Sequence, residues 1–202
     1  TAFPALIDPQ PEFDPDKAGW KKVFEDEFEG DRLDETAWQI RNPGTDHLVK
    51  VGDGMVRLGV DFPAGCTNRI APSLLVASLW SRQSWLYGYF EARVKFSRQN
   101  GWWAAFWLYG EKVDNPFTEG FEIDIFEDYF TRRLTPEGTP EMSLDHNLHM
   151  YCGSRKSLKS WNYNSALPGS LDDWHRIGCK WTPFEISYYL DGKLIRSDAG
   201  VA

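Results

Sequence analysis

The sequence predicts an all-β chain, an antiparallel sandwich or barrel. Three observations predict it. Short segments alternate apolar and polar residues with the period of two that a half-buried strand requires. Turn residues separate these segments at short intervals. No long segment of the 202 residues carries the apolar spacing of an amphipathic helix.

Taken in chain order, residues 1–19 are rich in Pro and Asp without periodicity and read as an extended arm. One domain is expected from residue 20 to residue 202. The segment KKVFEDEF (21–28) alternates, as does MVRLGVDF (55–62) after the turn signal GDG (52–54). LDETAW (33–38) is expected to make one short turn capped by Asp34. GYFEARVKFS (88–97) alternates clearly. WWAAFWLYG (102–110) is continuously apolar, the pattern of a strand buried on both faces. FEIDIFEDYF (121–130), NLHMYCG (147–153) and HRIGCKWT (175–182) follow. In EISYYLDGKLIRS (185–197), Asp191-Gly192 between two apolar runs signals a two-residue hairpin. There are no internal repeats and no low-complexity segments.

Composition narrows the function. The chain is 42% hydrophobic and 15% aromatic, which excludes disorder. A net charge of −8 argues against nucleic acid and anionic membranes as partners. No apolar run reaches the roughly 18 residues of a membrane span. The N-terminal TAFPALIDPQPEFDPDKAGW lacks the basic start and apolar stretch of a leader, as a mature exported protein would. The three cysteines, Cys66, Cys152 and Cys179, have no CxxC spacing, so no disulfide framework is implied. Ten Trp residues exceed what one core usually needs. Sugar rings have apolar faces, and exposed aromatic platforms are one use for the surplus.

The segment GFEIDIFEDYF (120–130) places Glu122, Asp124 and Glu127 among Ile123, Ile125 and Phe126. In a regular strand Glu122 and Asp124 share a face and Glu127 points away. A β-bulge near Ile125–Phe126 would return Glu127 to their side. Glu122 and Glu127 would then stand about four strand steps apart, roughly 13 Å between Cα atoms. Leaning side chains can approach the roughly 5–5.5 Å carboxyl separation of a retaining glycosidase. Three acids in contact cannot all ionise cheaply, so at least one should have a raised pKa. A solvated acidic face or a cation site would use the same residues.

The stretch Glu-Ile-Asp-Ile-Phe-Glu resembles the E-x-D-x-x-E signature of glycoside hydrolase family 16. FEDEFEG with LDETAW, YGYFEARVKF, GWWAAFW and WHRIGCKWTPFEISYYLDGKLI resemble further stretches of that family, in order, over about residues 23–196. The resemblance implies a β-jelly-roll sandwich of two curved antiparallel sheets around an open substrate cleft. It implies retaining, endo-acting cleavage of a β-linked polysaccharide by double displacement. It gives Glu122 the nucleophile's role, Glu127 that of acid/base, and Asp124 that of assisting acid. His149 resembles the His beside the acid/base. Trp103 and Trp107 resemble the Trp residues lining the sugar cleft.

By residue type alone, Trp80, Trp85 and Trp161 are candidate stacking platforms, and Asn68, Asn147 and Asn162 candidate partners for sugar hydroxyls. Arg82, with Arg69, Arg132 and Arg133, is a candidate partner for sulfate or carboxylate on a galactan. The segment 131–145 reads as a long loop. Family members continue beyond the point matching Ala202, so a domain short of its C-terminal strands is expected. No cofactor is expected. A structural calcium is compatible with the chain, which does not place it. A secreted or cell-surface monomer is expected, because polysaccharides lie outside cells. The rival readings are a non-catalytic glycan-binding module, a transglycosylase, and a metal-dependent phosphodiesterase using the acid trio. β-Glucan and algal β-galactan both remain open as substrates.

Overall fold

The structure is a computed structural model that describes residues 12–65, 74–96, 103–111, 119–128, 133–134, 140–141, 143–152, 157–166 and 173–199. Arg69, Asn68, Cys66 and Arg132 lie outside these residues. So do the side chains of Arg133, Cys152, Trp161 and Asn162. The backbone groups into two compact units, Lys21–Leu86 and Thr1–Trp20 with Tyr87–Ala202.

The unit Lys21–Leu86 is made of small two-stranded pieces. Its strands are β1 (Trp38–Ile40), β2 (Val49–Gly52), β3 (Met55–Leu58), β4 (Val60–Asp61), β5 (Leu75–Val76) and β6 (Leu79–Ser81). They pair antiparallel as β1 with β6, β2 with β3, and β4 with β5. The GDG signal makes the β2–β3 hairpin, with Asp53 at φ 58° and Gly54 at φ 66°. Asp34 closes a single turn by accepting from the Thr36 amide at 2.8 Å, as its position predicts. The alternating segment 21–28 forms no strand. Phe28 adopts a φ of 52°, outside the extended region, and its amide donates to Asp26 Oδ1 at 2.7 Å rather than to a ladder. The run expected over 55–62 breaks at Gly59, whose amide donates to the Leu48 carbonyl.

The other unit holds β7 (Gly88–Val94), β8 (Ala104–Glu111), β9 (Glu119–Asp128), β10 (Arg133–Leu134), β11 (Pro140–Glu141), β12 (Ser143–Cys152), β13 (Ser157–Ala166), β14 (His175–Trp181), β15 (Glu185–Leu190) and β16 (Lys193–Ala199). Two four-stranded antiparallel sheets result, in the orders β13–β12–β9–β8 and β16–β15–β14–β7. Their facing sides make the core. Ile123, Ile125, Phe126, Leu144 and Leu148 from the first meet Ile177, Cys179, Trp181, Ile186, Tyr188 and Leu190 from the second. Phe121 and Trp181 pack ring to ring at 5.0 Å. Each such aliphatic side chain contributes about 1.5–3 kcal/mol on burial. Cys179 is a free thiol inside this core.

The Asp191-Gly192 hairpin forms as its residues require, with φ of 50° and 77°. Phe13 docks on it. Its amide donates to the Gly192 carbonyl at 2.7 Å and its ring stacks on Tyr189 at 4.8 Å. The segment read as a loop over 131–145 contains the β10–β11 hairpin and the start of β12. β13 was not foreseeable from SLKSWNYNSA, whose Ser and Asn residues favour loops. Its ladder with β12 overrides that preference.

β8 departs from the expectation of a strand buried on both faces. Trp103, just before it, is 61% exposed, and Ala105 is exposed as well. β8 is the last strand in its sheet's order, with β9 as its neighbour. Only one of its faces meets the core, and the aromatic residues of its other face serve the site described below.

Strands β8 and β9 approach closely where Gly110 and Gly120 lie. A Cβ on Gly120 would fall on the carbonyl oxygen of Gly110, a backbone atom that cannot rotate away. Gly120→Ala is therefore expected to cost about 1–3 kcal/mol. A thermal melt should show the midpoint falling by about 3–10 °C.

Candidate active site

β9 is the strand that carries the acids. Its odd positions, Ile123 and Ile125, are fully buried in the core. Alternation therefore sends Glu122 and Asp124 to the opposite face. The ladder then shifts. On β12, Asn147 pairs with Asp124 and Asp145 with Glu127, so His146 alone stands opposite Ile125 and Phe126. On β8, Trp107 pairs with Asp124 and Phe106 with Phe126, leaving Ile125 without a partner. The bulge lies where the sequence placed it. Ile125 and Phe126 both enter the core, and Glu127 rejoins the face of Glu122 and Asp124.

Directly paired residues share a face, which builds the site in rows. Tyr109, Glu122 and His149 form one row, Trp107, Asp124 and Asn147 the next, and Ala105, Glu127 and Asp145 the third. Asp124 is 2% exposed, and its carboxyl interacts with those of Glu122 and Glu127. Burial, and then the negative charges of Glu127 and Glu122, push the Asp124 carboxyl up to about 9. Burial and its acidic neighbours thus favour the protonated form of Asp124.

Glu127 is gripped from two sides. Trp103 Nε1 donates to its Oε1 at 2.9 Å, and Asn147 Nδ2 donates to its Oε2. His149 Nε2 stands 3.2 Å from Asp124 Oδ2, a charge-pair distance without hydrogen-bond alignment. Trp107 and Tyr109 meet edge to face at 5.5 Å. One oxygen or nitrogen from each of Glu122, Asp124 and His149 lies within 4.8 Å of the others. That spacing suits a cation, which would have to displace the proton held by Asp124.

The structure thus brings together Glu122, Asp124, Glu127, Trp103, Trp107, His149 and Asn147. Trp80 and Arg82 belong to the other unit and are engaged there. Arg41 lies over the Trp80 ring at 5.1 Å. Arg82 Nε donates to the carbonyls of Glu35 at 2.5 Å and Trp38 at 3.1 Å, clasping the 33–38 turn. Trp85 packs edge-on against Phe24 at 5.1 Å. Sequence reasoning missed Tyr109, although counting two residues on from Trp107 finds it. It also missed His146, because alternation assigns that position to the core, where a histidine is unexpected.

Comparison with known proteins agrees with this architecture. The family match and the two-sheet sandwich make the chain a glycoside hydrolase. The chain belongs to glycosyl hydrolases family 16, whose model matches residues 46–199. It is 29% identical over 199 residues to beta-porphyranase E of Zobellia galactanivorans, covering 89% of this chain and 69% of the relative. It is 25% identical over 211 residues to beta-porphyranase B of Phocaeicola plebeius, covering 84% of this chain and 64% of that protein. Its fold matches the catalytic domain of an endo-1,3-beta-glucanase (laminarinase) from Thermotoga petrophila RKU-1 with a TM-score of 0.66. That match has 19% identity and covers 89% of this chain and 77% of the other. The jelly roll expected from the sequence is therefore the fold. No helix among the described residues is long and apolar enough to cross a membrane.

Proposed function

We propose that this chain is a retaining, endo-acting glycoside hydrolase that cleaves a β-linked galactan of the porphyran or agar type. The observation that carries the reading is the bulged strand, which sets Glu122 and Glu127 on one face with a buried Asp124 between them. Glu122 attacks the anomeric carbon while the trio's proton, passed from Asp124 to Glu127, goes to the departing glycosidic oxygen. Glu127 then takes a proton from water, whose oxygen displaces Glu122 from the glycosyl ester. Trp103 and Asn147 hold Glu127 in place for both steps, and Trp107 with Tyr109 offers aromatic surface beside the cleavage point. The likeness to two porphyranases over more than four-fifths of the chain favours galactan over glucan. The reading needs no cofactor, and it places a monomeric protein outside the cell, where the polymer lies.

The test is reducing-end release from porphyran, agarose, κ-carrageenan, laminarin, lichenan and xyloglucan, with proton NMR of the first product. Release from porphyran or agarose, with the β-anomer appearing first, is expected. The α-anomer first would overturn the retaining mechanism. Cleavage of laminarin or lichenan alone would move the substrate to β-glucan. Transfer products in place of reducing ends would make the chain a transglycosylase. Activity abolished by a chelator would favour the metal-dependent alternative. Binding without any cleavage would make it a glycan-binding module.

A further inference from the structure

A histidine sits in the core directly behind the bulge. His146 is 0% exposed, on the face of β12 that meets the second sheet. Its Nδ1 lies 2.6 Å from the carbonyl oxygen of Ile125, the residue that the bulge leaves without a register partner on either neighbouring strand. A carbonyl only accepts, so Nδ1 carries the proton. Burial depresses the His146 pKa to about 4, which keeps the ring neutral and suited to that single donation. A buried polar side chain is costly unless matched. The match here is with the one segment of β9 that departs from regular pairing.

The surroundings hold the ring in place. Its face meets Tyr188 of β15, with centroids 5.1 Å apart. Arg196 of β16 donates from Nη1 to the His146 carbonyl at 3.3 Å. The Tyr188 hydroxyl donates to the carbonyl of Asn147 at 3.3 Å, and the Asn147 side chain donates to Glu127. The second sheet thus braces the bulge from inside the core, while the site lies on the other face.

We propose that His146 is a positioning residue that holds the Ile125–Phe126 bulge and, through it, sets Glu127 on the catalytic face. Without the Nδ1 donor, the Ile125 carbonyl must seek a ladder partner. A residue-for-residue register would turn Glu127 toward the core. This inference rests on Glu127 being the acid/base of the proposed reaction.

The experiment compares wild type with His146→Leu, His146→Asn and His146→Gln. Asn can place a donor near where Nδ1 lies, whereas Gln places it near Nε2 and Leu has none. On the glycan that wild type cleaves, His146→Leu is expected to lose about 100-fold in kcat, as a misplacement of about 1 Å can do, with KM within about threefold. His146→Asn should recover at least about tenfold of that loss, and His146→Gln should not. Nitrogen-15 NMR of the wild-type ring should show a neutral imidazole protonated at Nδ1 from pH 5 to 8. Equal losses in all three variants, an undiminished kcat in His146→Leu, or a proton on Nε2 would each overturn the proposal. If His146→Leu does not fold, the Asn–Gln pair and the NMR signature decide. If wild type cleaves no glycan, the functional reading falls by itself. Crystal structures of wild type and His146→Leu then decide this one, by whether the Glu127 carboxyl keeps or loses its contact with Asp124.

Discussion

Glu122→Gln is expected to lower turnover of the glycan on the order of 10⁴-fold or more, the scale on which loss of a nucleophile or its close partner acts. Binding of the same glycan should stay within a few-fold of wild type, because the amide keeps the carboxyl's size and hydrogen-bonding reach. Isothermal titration beside initial-rate measurement separates the two quantities. Glu127→Gln provides the control. Loss of a general acid costs about 10²–10⁴-fold for a poor leaving group. It should cost far less for an aryl glycoside whose leaving group needs no proton. A Glu122→Gln enzyme with more than a tenth of wild-type activity would remove Glu122 from the mechanism.

Asp124→Asn should separate stability from activity. Asp124 is 2% exposed, and its folded-state pKa stands near 9 against an ordinary 3.8. The folded chain therefore keeps a proton that the unfolded chain releases above pH 4. Protons bound in the folded state and lost on unfolding make stability fall as pH rises, here from about 4 to about 9. Asparagine resembles the protonated acid in shape and has no proton to lose. Asp124→Asn should thus be more stable than wild type by about 2–4 kcal/mol at pH 7. The difference should vanish below pH 4 and level off above pH 9. Urea melts of both proteins across that range read it directly. Destabilisation at pH 7 would instead mean that Asp124 is ionised in the folded chain. Activity should fall by about 100-fold or more, since the amide cannot pass a proton within the trio. An ionised Asp124 would act by its negative field on its neighbours. Burial makes it the neutral, proton-holding member instead.

The strands legible in the sequence were those with one clear partner environment. GYFEARVKFS and HRIGCKWT alternate because one face meets the core, and Asp191-Gly192 turns because that pair tolerates positive φ. KKVFEDEF alternates too, yet Asp26 captures the Phe28 amide and the Trp38 indole, and no ladder forms. WWAAFWLYG looked like a strand buried on both faces. Its outer aromatic face carries Trp107 and Tyr109 beside the acids, a use that hydrophobicity cannot distinguish from burial.

By itself the sequence determined that three acids share one strand, and that only an extra residue at Ile125–Phe126 could put them on one face. That follows from the period of two, a local rule. Which acid keeps the proton was decided by tertiary structure, because burial and two neighbouring charges act on Asp124 only after β8, β9 and β12 assemble. So was the fate of Arg82, taken up by backbone carbonyls in a turn 44 and 47 residues away in sequence. So too was the brace behind the bulge, where β12, β15 and β16 bring His146, Tyr188 and Arg196 together. Residue type and spacing state what a side chain can do. Desolvation and long-range contact determine what it does.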